Sequence, residues 1–293
     1  MKKIGKEKKN TKIKTSFYGH EKFECKIDWL TKGLKAFSKN NKIFNPMNIE
    51  EGIETLGLGV NMIKSLNHWM KVFGLIEKSN FTDLGNILLE RDLYFENNDT
   101  LWLLHWNIVK NQERATLYNL FFNTIYPNKF TKEDILNQVT SWLEQEDIKL
   151  SLTTIKSDID VFIRMYRTND RGKTSFNLFS ELKLITEQSA GIYALNINNA
   201  ADITDYAFTY ILLDYIEAIN RTRSESVSMD DIQRGKLSLQ KSLCMGENTL
   251  YQKIYRLEQL TKGGLAYSEA SGIRQIYING LINKTTLLHG IYK

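Results

Sequence analysis

The sequence predicts a mainly α-helical protein with short β-hairpins, and three observations lead to that prediction. Only two prolines, Pro46 and Pro127, occur in 293 residues, where average usage gives roughly fifteen. Long helices are therefore rarely interrupted. Apolar residues at 42% and charged residues at 25% lie near the globular average, which excludes a disordered chain or a fibre. The order helix, glycine turn, helix, short hairpin recurs three times, which is the order of winged-helix (helix-turn-helix) units. A prior of ~100 to 200 residues per domain then divides the chain into a basic tail over 1–14 and three units. The first unit, with a sealing segment, covers 15–110, the second 111–200 and the third 201–293, joined in tandem by a hydrophobic helical segment.

The formal net charge of +5 is concentrated at one end. Residues 1–14 hold seven lysines against Glu7, a net +6, so the remaining residues sum to −1. A solvated lysine tail strengthens salt-sensitive binding to nucleic acid, although such tails also serve simply as solubilising ends. Any nucleic-acid contact by the body must come from charge on particular helices and wings.

In the first unit a helix starts near Asn48, turns at Leu56-Gly57-Leu58-Gly59 and continues as a second helix from Val60 to Phe73. After Gly74, Leu75-Ile76-Glu77 and Phe81-Thr82 flank a polar Lys78-Ser79-Asn80 turn, and a short helix runs from Asp83 to Glu90. Met62, Ile63, Leu66, Met70 and Phe73 recur at helical spacing and define a core face. Asn61, Lys64, Ser65, His68 and Lys71 fall on the other side. That stripe suits a DNA groove, with two cations for phosphates and short polar groups for base edges.

The second unit pairs a helix over Phe130 to Glu146 with a candidate recognition helix from Ser151 to Tyr166. Ile155, Ile159, Phe162 and Tyr166 form its buried face, while Lys156, Ser157, Arg164 and Arg167 lie opposite with Asp160 among them. A further helix through Leu178 and Leu182 leads to a hairpin that turns at Ser189-Ala190-Gly191 and returns over Ile192 to Leu195. The third unit begins with a helix from Tyr206 to Ile219 and a short segment capped by Ser228. Gly246 precedes a helix from Glu247 to Leu260, with Leu250, Ile254 and Leu257 inside and Asn248, Gln252, Tyr255, Arg256 and Gln259 outside. Asn248 and Gln252 have the amides that bond adenine edges. A longer hairpin turning at Ser271-Gly272 adds Arg274.

Between the first two units, Thr100 to Phe122 gathers Trp102, Trp106, Leu103 and Ile108 with no charge before Lys110, as expected of a central packing helix. Cys25 and Cys244 lie far apart without a CxxC or His/Cys cluster, so neither a disulfide scaffold nor a zinc site follows, and a reducing compartment is expected. Apolar runs at Leu101 to Val109 and Tyr206 to Ile219 are broken by His105 and Asp214 and fall short of the ~20 residues of a bilayer span. With no apolar signal stretch at the N-terminus, a cytoplasmic protein is expected.

Four segments resemble a bacterial family catalogued as domain of unknown function number four thousand and seven. They are FYGHEKFECKIDWLTKG from Phe17, LGLGVNMIKSLNHWM from Leu56, LYFENNDTLWLLHW from Leu93 and IKSDIDVFIRMYR from Ile155. Two positions depart from the pattern: Val60 stands for a polar or basic residue, and Lys26 for an arginine. Members of that family tend to accompany sulfurtransferase-like enzymes of the PAPS-reductase type in DNA phosphorothioation and phage-defence gene clusters. The resemblance thus implies a role in DNA modification or defence.

A catalytic reading starts from His20 and Glu21, which with Asp28 offer a metal or proton site. Adjacent helical residues point ~100° apart, however, and no HExxH partner follows. A sealing role among Phe17, Phe23, Trp29 and Leu30 fits better, and His105 between Trp102 and Trp106 receives the same structural reading. Gly172-Lys173-Thr174 lacks the upstream glycine of a phosphate loop. Asp158 and Asp160 lie two apart on one predicted helix, unlike the carboxylates of a nuclease. The expectation is a non-enzymatic, double-stranded-DNA-binding regulator or targeting subunit without cofactor or metal. Its alternative is a protein-protein adaptor that docks through winged-helix modules.

Overall fold

Local signals set the helix boundaries. The computed structural model describes residues 14–168, 177–197, 199–219 and 225–293. The basic tail, apart from Lys14, and Gly172-Lys173-Thr174 lie outside the described residues. Helix α1 (Ile27–Lys39) is followed by α2 (Ile49–Leu56) and α3 (Val60–Val72). Gly57 ends α2 in the left-handed region at φ 63°, where a β-carbon is unfavourable. Strands β1 (Ile76–Glu77) and β2 (Asn80–Phe81) form a minimal hairpin that leads into α4 (Asp83–Arg91), whose cap Thr82 accepts from the amide of Gly85. The helix-turn-helix-hairpin order expected of the first unit is therefore present, with strands of two residues each.

Helix α5 (Asn98–Lys110) stands at the centre, with Asp99 through Trp106 all buried. The expected central helix does not run on to Phe122. It breaks after Lys110, where Asn111 Oδ1 accepts from the amide of Arg114, and restarts as α6 (Thr116–Leu120). Next come β3 (Lys129–Phe130), α7 (Lys132–Gln145), α8 (Leu152–Tyr166), β4 (Arg167–Thr168), β5 (Ile185–Ser189) and β6 (Ile192–Leu195). Thr131 and Asp134 close a capping box at α7, and Ser151 caps α8. The expected second hairpin is there as β5 and β6, but β3 and a parallel β4 widen it to a four-stranded sheet in the order β3-β6-β5-β4. The helix expected through Leu178 and Leu182 is only a short turn over Ser180–Leu182.

The last third holds α9 (Asp205–Ile219), β7 (Ser226–Ser228), α10 (Met229–Arg234), α11 (Leu239–Ser242), α12 (Glu247–Tyr255), α13 (Leu257–Leu260), β8 (Leu265–Ala270), β9 (Ile273–Ile278) and α14 (Lys284–Ile291). Ser228 caps α10 by accepting from the amide of Asp231 at 3.0 Å. The hairpin β8-β9 turns at Ser271-Gly272, and β7 joins its far edge. One continuous set of buried side chains runs from Cys25 to Ile291, with α5, α8 and α9 through its middle. Cys25 and Cys244 are buried free thiols, and burial pushes both thiols up. Among the described residues no helix is long and apolar enough to cross a membrane.

Candidate nucleic-acid interface

Helix α3 lies between two packed layers, and this changes which of its residues reach solvent. Gly33 of α1 approaches Leu66 and Met70 on one side. On another, Trp69 is fully buried and its indole N–H donates to the carbonyl of Phe23 at 3.1 Å. Ser65, Trp69 and Val72 share one ridge at i, i+4 and i+7, and all three are buried. Ser65 therefore does not face outward as expected, because the apolar surface of α3 is wider than a single stripe. Its hydroxyl is fully buried and has no hydrogen-bond partner among the described residues.

His68 is half-buried rather than fully outward. A β-carbon on Gly19 would lie 2.4 Å from its ring, so only glycine lets this segment cross α3 there. Trp69 lies edge-on to the His68 ring at 5.1 Å. Burial first, and the neighbouring His20 second, lower the imidazole pKa to about 3, leaving it neutral near pH 7. Lys71 is half-buried, and burial together with nearby Arg114 lowers its pKa. Asn61 and Lys64 remain exposed.

The segment that crosses α3 is fixed at several points. His20 Nε2 pairs with buried Asp158 of α8, and His20 Nδ1 accepts from the amide of Lys22 at 3.1 Å. The ring stacks on Trp69 at 5.8 Å. Both imidazole nitrogens are thus engaged within the protein. Arg164 binds the same segment through Glu24 at 2.8 Å and the carbonyl of Lys22 at 2.9 Å. Burial would raise the Glu24 carboxyl, but Arg164 overrides it and holds the group below its ordinary value. Arg167 pairs with Glu187 at 3.0 Å. Of the cations expected on α8, Lys156 is the exposed one without an ion pair. Asp160, the acid among them, is paired with Lys132 at 2.6 Å.

Helix α12 shows the expected outer face. Asn248, Gln252 and Tyr255 are exposed at i, i+4 and i+7, over the buried Leu250, Lys253 and Ile254. Arg256 is exposed but ion-paired with Asp205 at 3.2 Å, which also takes buried Lys253 at 2.8 Å. Beside this face, Arg274 of β9 donates to the hydroxyl of Tyr251 at 2.6 Å. Tyr251 and Tyr255 both lie edge-on to Tyr267 of β8, at 6.1 and 5.5 Å. Sequence reasoning missed this tyrosine group because Tyr267 sits on a hairpin that only the fold brings to α12. His105 is fully buried, and Nε2 donates to the carbonyl of Ser242 while Nδ1 accepts from the hydroxyl of Tyr166, each at 2.7 Å. Among the described residues no group of three or more His, Cys, Asp or Glu is placed to hold a metal ion.

The model of a family described as "Protein of unknown function (DUF4007)" matches residues 17–292. The chain belongs to this family. DUF4007 therefore spans the strap over α3, the α5 core and the α12 face together. Two solved structures share the fold of this DUF4007 chain. "Magnesium ion-bound SspB crystal structure" is 19% identical and "SspB crystal structure" 20% identical, each with a TM-score of 0.79. Each match covers 94% of this chain and 86% of the other. No curated protein matches the chain.

Proposed function

We propose that this protein binds double-stranded DNA within a bacterial DNA-modification or phage-defence system, as a regulator or targeting subunit and not as an enzyme. The α12 face supports the reading best: Asn248 and Gln252 open to solvent beside a hairpin that carries Arg274. A major groove admits a helix, amide side chains bond adenine edges, and a guanidinium meets phosphate or guanine. Exposed Lys64 and Lys156 add phosphate contacts from other helices. The family resemblance suggests the setting, a defence or modification system with a PAPS-reductase-like or other defence-system protein as partner, and the α12-hairpin pair is the element that would engage the duplex.

Titration of a labelled duplex tests this. Log affinity should fall linearly with log salt, and Asn248→Ala with Gln252→Ala should narrow the gap between preferred and random sequence by about 1 to 3 kcal/mol per lost base contact. Absence of salt-dependent duplex binding by the full chain would remove the reading. A second reading, a protein-protein adaptor, is favoured by exposed apolar side chains at the two ends of strand β9. Leu281 is fully exposed and Ile273 is 62% exposed. An adaptor would bind its partner with little regard to salt and would ignore the α12 substitutions.

A further inference from the structure

Helix α1 carries a cationic face that the recognition-helix argument does not use. Lys32, Lys35 and Lys39 lie at i, i+3 and i+7, so they project from one side of the helix, and Lys42 follows just past its end. All four are exposed. At ~1.5 Å rise per residue, Lys32 and Lys39 stand about 10 Å apart along the axis. That matches the axial rise of on the order of three phosphates on one DNA strand.

The charge on this face is unspent. None of the four lysines forms an ion pair among the described residues, whereas Arg164, Arg167 and Arg256 each hold a carboxylate. Lys35 instead lies over the ring of Tyr94 at 5.0 Å and donates to its hydroxyl at 3.3 Å, and Lys32 donates to the carbonyl of Leu56 at 3.4 Å. Tyr94 is itself 59% exposed. Among the acids that flank the face in sequence are Asp28 at the head of α1 and Glu50, Glu51 and Glu54 on α2, and Glu51 is taken by the amide of Asn40 at 2.8 Å. A membrane surface is a poorer fit. A helix lying on lipid presents its apolar face to the bilayer, but Trp29, Leu30, Leu34 and Phe37 of α1 are buried in the core.

We propose that the α1 lysine face grips the phosphate backbone of nucleic acid without reading its sequence. It rests on the DNA-binding reading and adds a second contact on a different helix from α12. The test compares the full chain with a Lys32→Gln/Lys35→Gln/Lys39→Gln variant on a labelled duplex of random sequence across a salt series, with vesicles containing phosphatidylserine as a second probe. Because the substituted side chains are exposed, the thermal midpoint should stay unchanged. The expected result is at least about tenfold weaker duplex binding and a salt slope shallower by about two to three, since each lost phosphate contact removes ~0.9. If wild type binds duplex and the variant matches it in affinity and slope, the proposal is overturned while the α12 reading stands. Vesicle binding that depends on the three lysines, without duplex binding, would assign the face to lipid and overturn it. Binding to neither probe would overturn the proposal and the DNA reading together.

Discussion

His20 and Asp158, 138 residues apart, form a buried pair in which the imidazole donates through Nε2 while Nδ1 is occupied by the Lys22 amide. His20 is 2% and Asp158 3% exposed. The pair ties the segment ahead of α1 to α8 across the top of α3.

Removing the imidazole leaves a buried carboxylate without its partner, which typically costs about 3 to 5 kcal/mol. His20→Ala should therefore lower the urea midpoint strongly, and Asp158→Asn combined with it should recover part of the loss. A His20→Ala protein that keeps full stability yet loses function would instead point to catalysis at His20.

Ser65 tests how α3 is buried. Its hydroxyl is enclosed without a partner, and an unsatisfied buried polar group costs about 1 to 3 kcal/mol. Ser65→Ala should leave thermal stability unchanged or raise it, with no effect on duplex binding. A weakened complex with unchanged folding would show that α3 opens to meet DNA.

His105 makes stability depend on pH. Burial is the main cause lowering its pKa to about 4 from an ordinary value of 6.5, against the pull of the Ser242 carbonyl. The folded state holds the ring neutral while the unfolded chain takes up a proton below about 6.5, so the unfolded state binds more protons in that window. The contribution is complete above about pH 6.5 and is lost as pH falls through about 4, on the order of 3 kcal/mol. Chemical denaturation at a series of pH values should show this decline. His105→Gln, which can still donate to Ser242 and accept from Tyr166, should flatten it. An unchanged decline in that variant would assign the pH dependence to other groups such as His68.

Much of the secondary structure is legible in the sequence because its causes are local. Gly57, Ser151, Ser228 and the Ser271-Gly272 turn act within a few residues, and apolar spacing marks α3, α8 and α12. The same locality explains the errors. A single amphipathic stripe assumes one buried side, so it placed Ser65 and His68 outward on α3, where Ser65 is buried and residues 17–24 pack against Trp69 and His68. Strands β3 and β4 join the second hairpin from distant parts of the chain, which periodicity within the hairpin does not reveal.

The sequence by itself determined where most of the helices and hairpins lie and which residues are cationic, since capping, turn chemistry and side-chain type are properties of short stretches. Only the tertiary structure decided which charges are available. Arg164, Arg167 and Arg256 meet carboxylates 140, 20 and 51 residues away, while the lysines of α1 meet none among the described residues. An ion pair depends on separation in space, and separation in space is set by the packing of the whole chain.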